Sequence, residues 1–153
     1  MVELPHVLVG VAIASKVGNP ALSLPLALAS HFVMDLIPHW NPPIYREIKK
    51  LGRLKPNTTT FIFLDSFAAL LIGSFIALQS LPDLSRAVII LLGGFFAVLP
   101  DLLEAPYYLM NVTHPLITRL VEFEHALQAR APLIPGILTQ VAVSAAAVWW
   151  IFT

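Results

Sequence analysis

The hydrophobic residues of this chain gather into five stretches, which are separated by prolines, glycines and short polar turns. The stretches cover residues 5–17, 20–37, 60–81, 83–104 and 133–152. A hydrocarbon core about 30 Å thick requires roughly 20 apolar residues in helical conformation. The last three stretches meet that length, the second is marginal and the first is short. The pattern predicts an all-α integral membrane bundle with about four transmembrane helices, one of them short.

A sixth stretch, from His114 to Arg130, mixes apolar and charged residues. Leu116, Leu120 and Leu127 are apolar, whereas Arg119 and Glu122 are charged, and this mixture is typical of an amphipathic helix. We expect it to lie at the membrane interface or against the bundle. No internal repeat or low-complexity segment divides the chain, so we expect residues 1–153 to form a single membrane-embedded domain.

Composition supports the membrane assignment and restricts the possible chemistry. Hydrophobic residues make up 58% of the chain and charged residues 12%, and the mean hydropathy is +0.81. Soluble domains carry about 25% charged residues. The net charge of zero gives no electrostatic reason to expect nucleic acid as a partner. Because there is no cysteine, any metal site must use histidines and carboxylates.

A basic segment follows the second apolar stretch and indicates the orientation. Residues 46–55 hold five basic side chains against a single acidic one, Glu47. By the positive-inside rule this segment is cytoplasmic, which predicts an integral protein of the inner (cytoplasmic) membrane. Counting crossings from it places the N-terminus and residues 105–131 on the cytoplasmic side as well. The same segment is a candidate binding surface for anionic lipid or for a protein partner.

With this orientation, the ionisable residues of the apolar stretches converge at the cytoplasmic end of the bundle. An ionisable group inside an apolar segment costs several kcal/mol in the membrane, so it usually faces the bundle interior and has a function. The converging residues are His6, His31, Asp35, His39, Asp65, Asp101 and Glu104.

The spacing of these residues suits a metal site. His31, Asp35 and His39 follow one another at intervals of four residues and share one helix face. Imidazole nitrogens with carboxylate oxygens suit zinc above all, with manganese or iron as alternatives. We expect His6, His31, Asp35, His39 and Asp101 to bind the metal. Catalytic roles fall to Glu104 and His39, each as a general base or a further ligand, and to Asp65, which would orient a ligand histidine.

Three motifs resemble a known family. They are His6-x-x-x-Gly10, the segment Ser-His-Phe-Val-Met-Asp-Leu-Ile-Pro-His-Trp at residues 30–40, and Leu99-Pro100-Asp101. They are similar to motifs of the membrane-bound metal-dependent hydrolases of bacteria and archaea, which include inner-membrane proteins described as LexA-binding hydrolases. The resemblance implies a small multi-helix membrane protein with hydrolase activity. His31, Asp35, Pro38 and His39 also resemble, with compressed spacing, the signature of zinc-dependent phospholipase C and S1-type nucleases.

The sequence thus predicts a metal-dependent hydrolase at the cytoplasmic membrane face. A phosphoester or lipid-derived substrate is expected because the site lies at headgroup depth, and membrane lipids are the expected partners. One alternative is a non-enzymatic membrane protein with a structural ion or polar cluster. Another is a scaffold that uses residues 46–55. A proton or ion carrier is disfavoured, because the outer halves of the helices hold almost no ionisable partners.

Overall fold

The computed structural model describes all 153 residues and is entirely helical, which confirms the predicted fold class. The helices are α1 (Glu3–Val17), α2 (Pro20–Asp35), α3 (Ile44–Leu51), α4 (Pro56–Leu78), α5 (Leu84–Met110), α6 (Pro115–Leu127) and α7 (Leu133–Phe152). The five apolar stretches correspond to α1, α2, α4, α5 and α7. The predicted amphipathic helix is α6.

Three helices are long and apolar enough to cross a membrane. They are α4, α5 and α7, with 23, 27 and 20 residues. Large apolar side chains such as Leu64 and Phe75 are more than half exposed on the outer surface of the bundle, where lipid would cover them. By contrast, α1 and α2 have 15 and 16 residues, which correspond to about 22–24 Å of helix. The chain is therefore membrane-associated through at least its three long helices.

The short helix α1 occupies the centre of the bundle. It packs against α2, α4, α5 and α7, and Val11 and Ala12 are completely buried. Glycine and alanine let α1 approach α5 closely, because a Cβ added to Gly10 would overlap the Gly93 carbonyl and lie 2.5 Å from the Ala97 Cβ. Gly10 therefore admits a close helix neighbour, which is α5.

The end of α5 differs from the expectation. The fourth apolar stretch was predicted to stop at about Glu104, but the helix continues through Pro100 and Pro106 to Met110 and ends at Asn111, whose φ is 55°. A proline removes one backbone donor and disturbs one turn, and a helix packed among neighbours tolerates this loss. The extra turns keep Glu104 within a regular helix, where its side chain points into the bundle.

The basic segment is partly helical, because α3 includes its residues 46–51. Glu47 explains its position. This side chain is buried, and its two carboxylate oxygens accept hydrogen bonds from the Lys55 backbone N–H at 2.9 Å and the Thr58 hydroxyl at 3.0 Å. Glu47 thereby stabilises the start of α4, whose first backbone donors have no partner within the helix. The basic side chains of residues 46–55 remain exposed.

Candidate metal centre

Three histidines and one aspartate form the most deeply buried polar cluster of the protein. His6 comes from the first turn of α1, His31 and Asp35 from the last turns of α2, and His39 from the segment after α2. None of the four is more than 1% exposed. Burial of so many polar groups is costly unless they bind one another or a ligand. This group is called the histidine cluster below.

The histidine cluster is arranged around the Asp35 carboxylate. His6 Nε2 lies 3.5 Å and His39 Nε2 3.7 Å from Asp35 Oδ1, and His31 Nε2 lies 3.9 Å from Asp35 Oδ2. Ligand atoms around a tetrahedral ion with bonds of 2.0–2.2 Å are about 3.4 Å apart. The separations from Asp35 are wider than this, and the histidine-containing set whose ligand atoms all lie within 4.8 Å of one another is His6, His31 and Asp101.

The hydrogen bonds of two histidines leave their Nε2 atoms available as ligands. His31 Nδ1 is 2.8 Å from the Ala97 carbonyl oxygen, and His39 Nδ1 is 2.8 Å from the Ile37 carbonyl oxygen. A carbonyl only accepts, so each Nδ1 must donate, which in the neutral ring leaves a lone pair on Nε2. Burial also lowers the pKa of the His39 imidazole.

The helix α5 contacts His31 at two points one turn apart. The Ala97 carbonyl binds His31 Nδ1, and the Asp101 carboxylate lies 4.0 Å from His31 Nε2. The same helix therefore orients the ring and presents a carboxylate to its second nitrogen.

Several polar atoms of the histidine cluster have no hydrogen-bond partner. They are both ring nitrogens of His6, Nε2 of His31 and His39, and Asp35 Oδ2. The Met1 amino group contacts the other oxygen of Asp35. Buried side-chain polar atoms are normally satisfied, and a group of unsatisfied ones at a single point calls for a ligand.

Three carboxylates lie next to the histidine cluster. Asp101 and Glu104 come from α5 and Glu124 from α6, and one oxygen of each lies within 4.8 Å of the others. One ligand atom each of His6, His31 and Asp101 also fall within 4.8 Å of one another. Asp101 therefore belongs to both groups. We call Asp101, Glu104 and Glu124 the carboxylate cluster.

The chain around His39 is fixed by contacts with α7 and with the segment after α6. The His39 N–H donates to the Ala129 carbonyl at 3.0 Å, and the Ala131 N–H donates to the His39 carbonyl at 2.8 Å. Gln140, which is 5% exposed, donates from Nε2 to the Trp40 carbonyl at 2.9 Å. These bonds fix the position of the His39 ring relative to Asp35.

Asp65 is separate from both clusters. Its Oδ2 accepts a hydrogen bond from the Glu3 backbone N–H at 2.6 Å, so it stabilises the first turn of α1. The structure shows no contact between Asp65 and a histidine, so its proposed orienting role stays a prediction. His114 Nδ1 accepts from the Leu116 N–H and caps α6. His125 stacks on Tyr45 at 3.6 Å and contacts Arg130, and burial lowers its pKa.

Sequence reasoning missed two residues of this region, Glu124 and Gln140. Glu124 is 1% exposed and follows the buried Val121 by three residues, so it lies on the inner face of α6. A carboxylate on the apolar face of an amphipathic helix is a signal that the sequence already contains. Gln140 is one of the few polar residues inside the apolar stretch of α7, which is the corresponding signal.

A cavity of about 530 Å³ leads to the carboxylate cluster. Four carboxylates line it, from Glu3, Asp65, Asp101 and Glu104, together with the cations Arg46 and Arg130. The members of the histidine cluster do not line it. A second cavity of about 290 Å³, almost wholly apolar, lies between α1, α4 and α5 and shares Glu3, Ser66 and Leu102 with the first. Together the two cavities offer a polar and an apolar compartment.

These features define an all-helical, membrane-associated protein with a buried cluster of histidines and carboxylates that is able to hold a metal ion. No family model, no curated protein and no solved structure matches the chain. The resemblance of its motifs to the membrane-bound hydrolases therefore stays a prediction.

Proposed function

We propose that the protein is a membrane-embedded, metal-dependent hydrolase that acts on phosphoesters of lipids or lipid-derived molecules. The observation that carries this proposal is the set of unpartnered Nε2 atoms of His6, His31 and His39 around Asp35. Their residue types fit zinc best, and manganese or iron would also be accepted. Asp101 links this centre to the large cavity, which supplies a route for substrate.

The chemistry follows from the residues at the end of the cavity. A bound divalent ion would lower the pKa of a water molecule to about 7 and polarise the ester. The water oxygen would attack the phosphorus or carbonyl carbon as the bond to the leaving-group oxygen breaks. A carboxylate that lines the cavity would accept the proton lost by the water and pass it to the departing oxygen. The lining carboxylates outside the expected ligand set are Glu3, Asp65 and Glu104, and we assign this role to Asp65 or Glu104.

The cavities support an amphiphilic substrate. Arg46 and Arg130 line the large cavity and suit an anionic headgroup. The second cavity is lined by side chains such as Val7, Leu70 and Phe95, which suit a hydrocarbon chain. A lipid would therefore lie across the junction of the two cavities at Glu3, Ser66 and Leu102, with its ester bond on the polar side, which Asp101 and Glu104 line.

The basic segment supports a cytoplasmic location for this reaction. Arg46, Lys49, Lys50, Arg53 and Lys55 are exposed, and Arg46 lines the large cavity together with Asp101 and Glu104. Such a surface is retained on the cytoplasmic side and attracts anionic lipid headgroups. The proposal therefore places the protein in the inner membrane with its site facing the cytoplasm.

Complete burial of the histidine cluster favours a second candidate, a non-enzymatic protein that holds a structural ion. Structural sites are closed, with every coordination position filled by protein, whereas catalytic sites keep a position open. In this candidate the exposed basic segment would bind anionic lipid or a protein partner, and mutating its charges would affect that binding and spare the metal.

Activity measurements on matched histidine variants test the hydrolase. Protein purified in detergent without a histidine tag, and loaded with Zn²⁺, Mn²⁺ or Fe²⁺, would be assayed against phosphomonoesters, phosphodiesters and carboxyl esters with short and long chains. We expect His31→Ala and Asp35→Asn to lose at least about 100-fold in metal affinity, because they lose ligands, and to lose hydrolysis with it. His114→Ser keeps a helix-capping side chain far from the cluster and should retain wild-type activity. Full hydrolysis by metal-free His31→Ala would refute the proposal.

A further inference from the structure

The carboxylate cluster is not explained by a single ion in the histidine cluster. Glu124 is 1% exposed, and neither of its carboxylate oxygens has a hydrogen-bond partner. Glu104 is 5% exposed, and its Oε1 is also without a partner. Two buried carboxylates thus direct unpartnered oxygens at the position where Asp101 completes the group.

No basic side chain neutralises these carboxylates. Every ion pair within 4.0 Å in the structure involves a histidine or the Met1 amino group, so no lysine or arginine contacts Asp101, Glu104 or Glu124. The one histidine near the cluster is His31, whose Nε2 lies 3.8 Å from Glu124, 3.9 Å from Asp35 and 4.0 Å from Asp101, so a single imidazole faces three carboxylates. Like charges a few ångströms apart in a buried site repel strongly, and a cation is the usual means of holding them together.

We infer that the carboxylate cluster binds a second divalent ion, which makes the centre binuclear with Asp101 as the shared ligand. Three carboxylates without imidazole or sulfur favour a hard cation, so Mn²⁺ or Mg²⁺ is the expected class. Asp101 suits the bridging position because its oxygens reach both the His6–His31 group and the Glu104–Glu124 group. Two ions that share a carboxylate are typically about 3.5–4 Å apart.

The second ion would be the accessible one. Every residue of the histidine cluster is at most 1% exposed, whereas the Asp101 side chain is 25% exposed and lines the large cavity together with Glu104. A closed histidine site and an open carboxylate site thus lie side by side. Open coordination is what a catalytic ion requires, so substrate would bind on the carboxylate side while the histidine ion holds Asp101 in place.

This assignment changes the role of one predicted catalytic residue. If Glu104 binds the second ion, it is not free to accept the proton, and Asp65 remains of the two acceptors proposed above. The inference deepens the proposed function and shares its first ion, but the second site is defined by its own residues and is tested by metal binding without any assay of hydrolysis.

Metal stoichiometry and Mn²⁺ spectroscopy test the second site. The full chain, purified in detergent and stripped with a chelator, would be titrated with Mn²⁺ alone and, separately, with Zn²⁺ followed by Mn²⁺. Wild type should bind about two equivalents, and electron paramagnetic resonance should show the exchange coupling of two Mn²⁺ ions that share a carboxylate. Glu124→Gln, which keeps the shape of the side chain, should bind about one equivalent with the spectrum of isolated Mn²⁺.

Two control variants make the result decisive. Glu122→Gln changes an exposed carboxylate on the same helix and should leave both ions bound. Glu124→Asp keeps the charge and should retain the second ion with weaker affinity. One equivalent in wild type, unchanged in Glu124→Gln, would overturn the inference and leave a one-ion hydrolase possible. Two equivalents without any hydrolysis would uphold the second site and count against the proposed function instead.

Discussion

Gly10 of α1 lies directly against Gly93 of α5, and a Cβ on Gly93 would come within 2.7 Å of the Gly10 carbonyl oxygen. Ala14 of α1 contacts Gly93, and Ala97 of α5 contacts Gly10. The two helices therefore run antiparallel through a contact made of small residues. His6 is one turn before Gly10, and Asp101 is one turn after Ala97. The close crossing therefore brings a ligand from each helix to the same depth.

Enlarging Gly93 should separate the two helices and disturb both clusters. Gly93→Leu places a side chain against Ala14 and the Gly10 backbone, and overpacking of this kind costs about 1–3 kcal/mol of stability. We expect a lower unfolding temperature in detergent and weaker binding of metal. Ala145→Leu makes a similar change at an exposed position of α7 and should alter neither property. Wild-type metal affinity in Gly93→Leu would show that the crossing does not position His6 and Asp101.

The helices could be predicted from the sequence because the length of each apolar stretch and the prolines that separate the stretches are local signals. The end of α5 could not, because Pro106 breaks an isolated helix but is tolerated where neighbouring helices pack around it. The short helix α3 depends on Glu47, whose partners lie eight and eleven residues further along the chain. Such a contact leaves no periodic pattern for sequence reasoning to find.

In the candidate site, too, residues with a local sequence signal were predicted and residues placed by tertiary contacts were not. His31, Asp35 and His39 were recognised because one helix face carries them at regular spacing. His6 and Asp101 were recognised because the orientation predicted by the positive-inside rule places them at the same membrane depth. Glu124 was missed because the charged residues of α6 were all assigned to its solvent face. Which of these charges turns inward depends on the packing of α6 against α5 and α2, and this is a tertiary contact.

Gln140 should prove necessary for the geometry of the histidine cluster. Its Oε1 accepts from the Val2 N–H at 3.0 Å and its Nε2 donates to the Trp40 carbonyl. Gln140→Leu leaves both backbone groups unsatisfied, at a cost of about 1–3 kcal/mol. Because Trp40 adjoins His39, we expect metal affinity to fall about 10–100-fold, as for other residues that orient ligands. Calorimetric titration measures this loss. Gln79→Leu, at the exposed end of α4, is the matched control, and an equal loss there would assign the effect to general destabilisation.

Narrowing the apolar cavity should select against long-chain substrates. Ser74 lines this cavity on α4, and Ser74→Phe would fill part of its volume of about 290 Å³. For the proposed hydrolase we expect KM to rise about tenfold or more for a long-chain lipid ester, since each CH₂ excluded from an apolar site loses about 0.8 kcal/mol. A short-chain ester should be turned over at the wild-type rate. Ala145→Phe is the control on the outer surface, and equal effects on long and short substrates would contradict a lipid-binding role for the cavity.

The orientation of the bundle can be tested directly, because the chain has no cysteine and single cysteines can be introduced without background. Lys50→Cys and Thr113→Cys are exposed positions that we expect to react with a membrane-impermeant thiol reagent only from the cytoplasmic side. Ser85→Cys, in the turn before the body of α5, should react only from the opposite side.

Lys16→Cys completes this experiment, because it reports on the short helices. Since α1 extends for about 22 Å and the hydrocarbon core is about 30 Å thick, Lys16 should lie below the outer headgroups and react from that side more slowly than Ser85→Cys. Reaction of Lys16→Cys from the same side as Lys50→Cys would mean that α1 does not cross. Exchange of the sides for Lys50→Cys and Ser85→Cys would move the metal centre to the outer face without separating its residues, because the clusters are fixed by contacts within the protein rather than by the membrane.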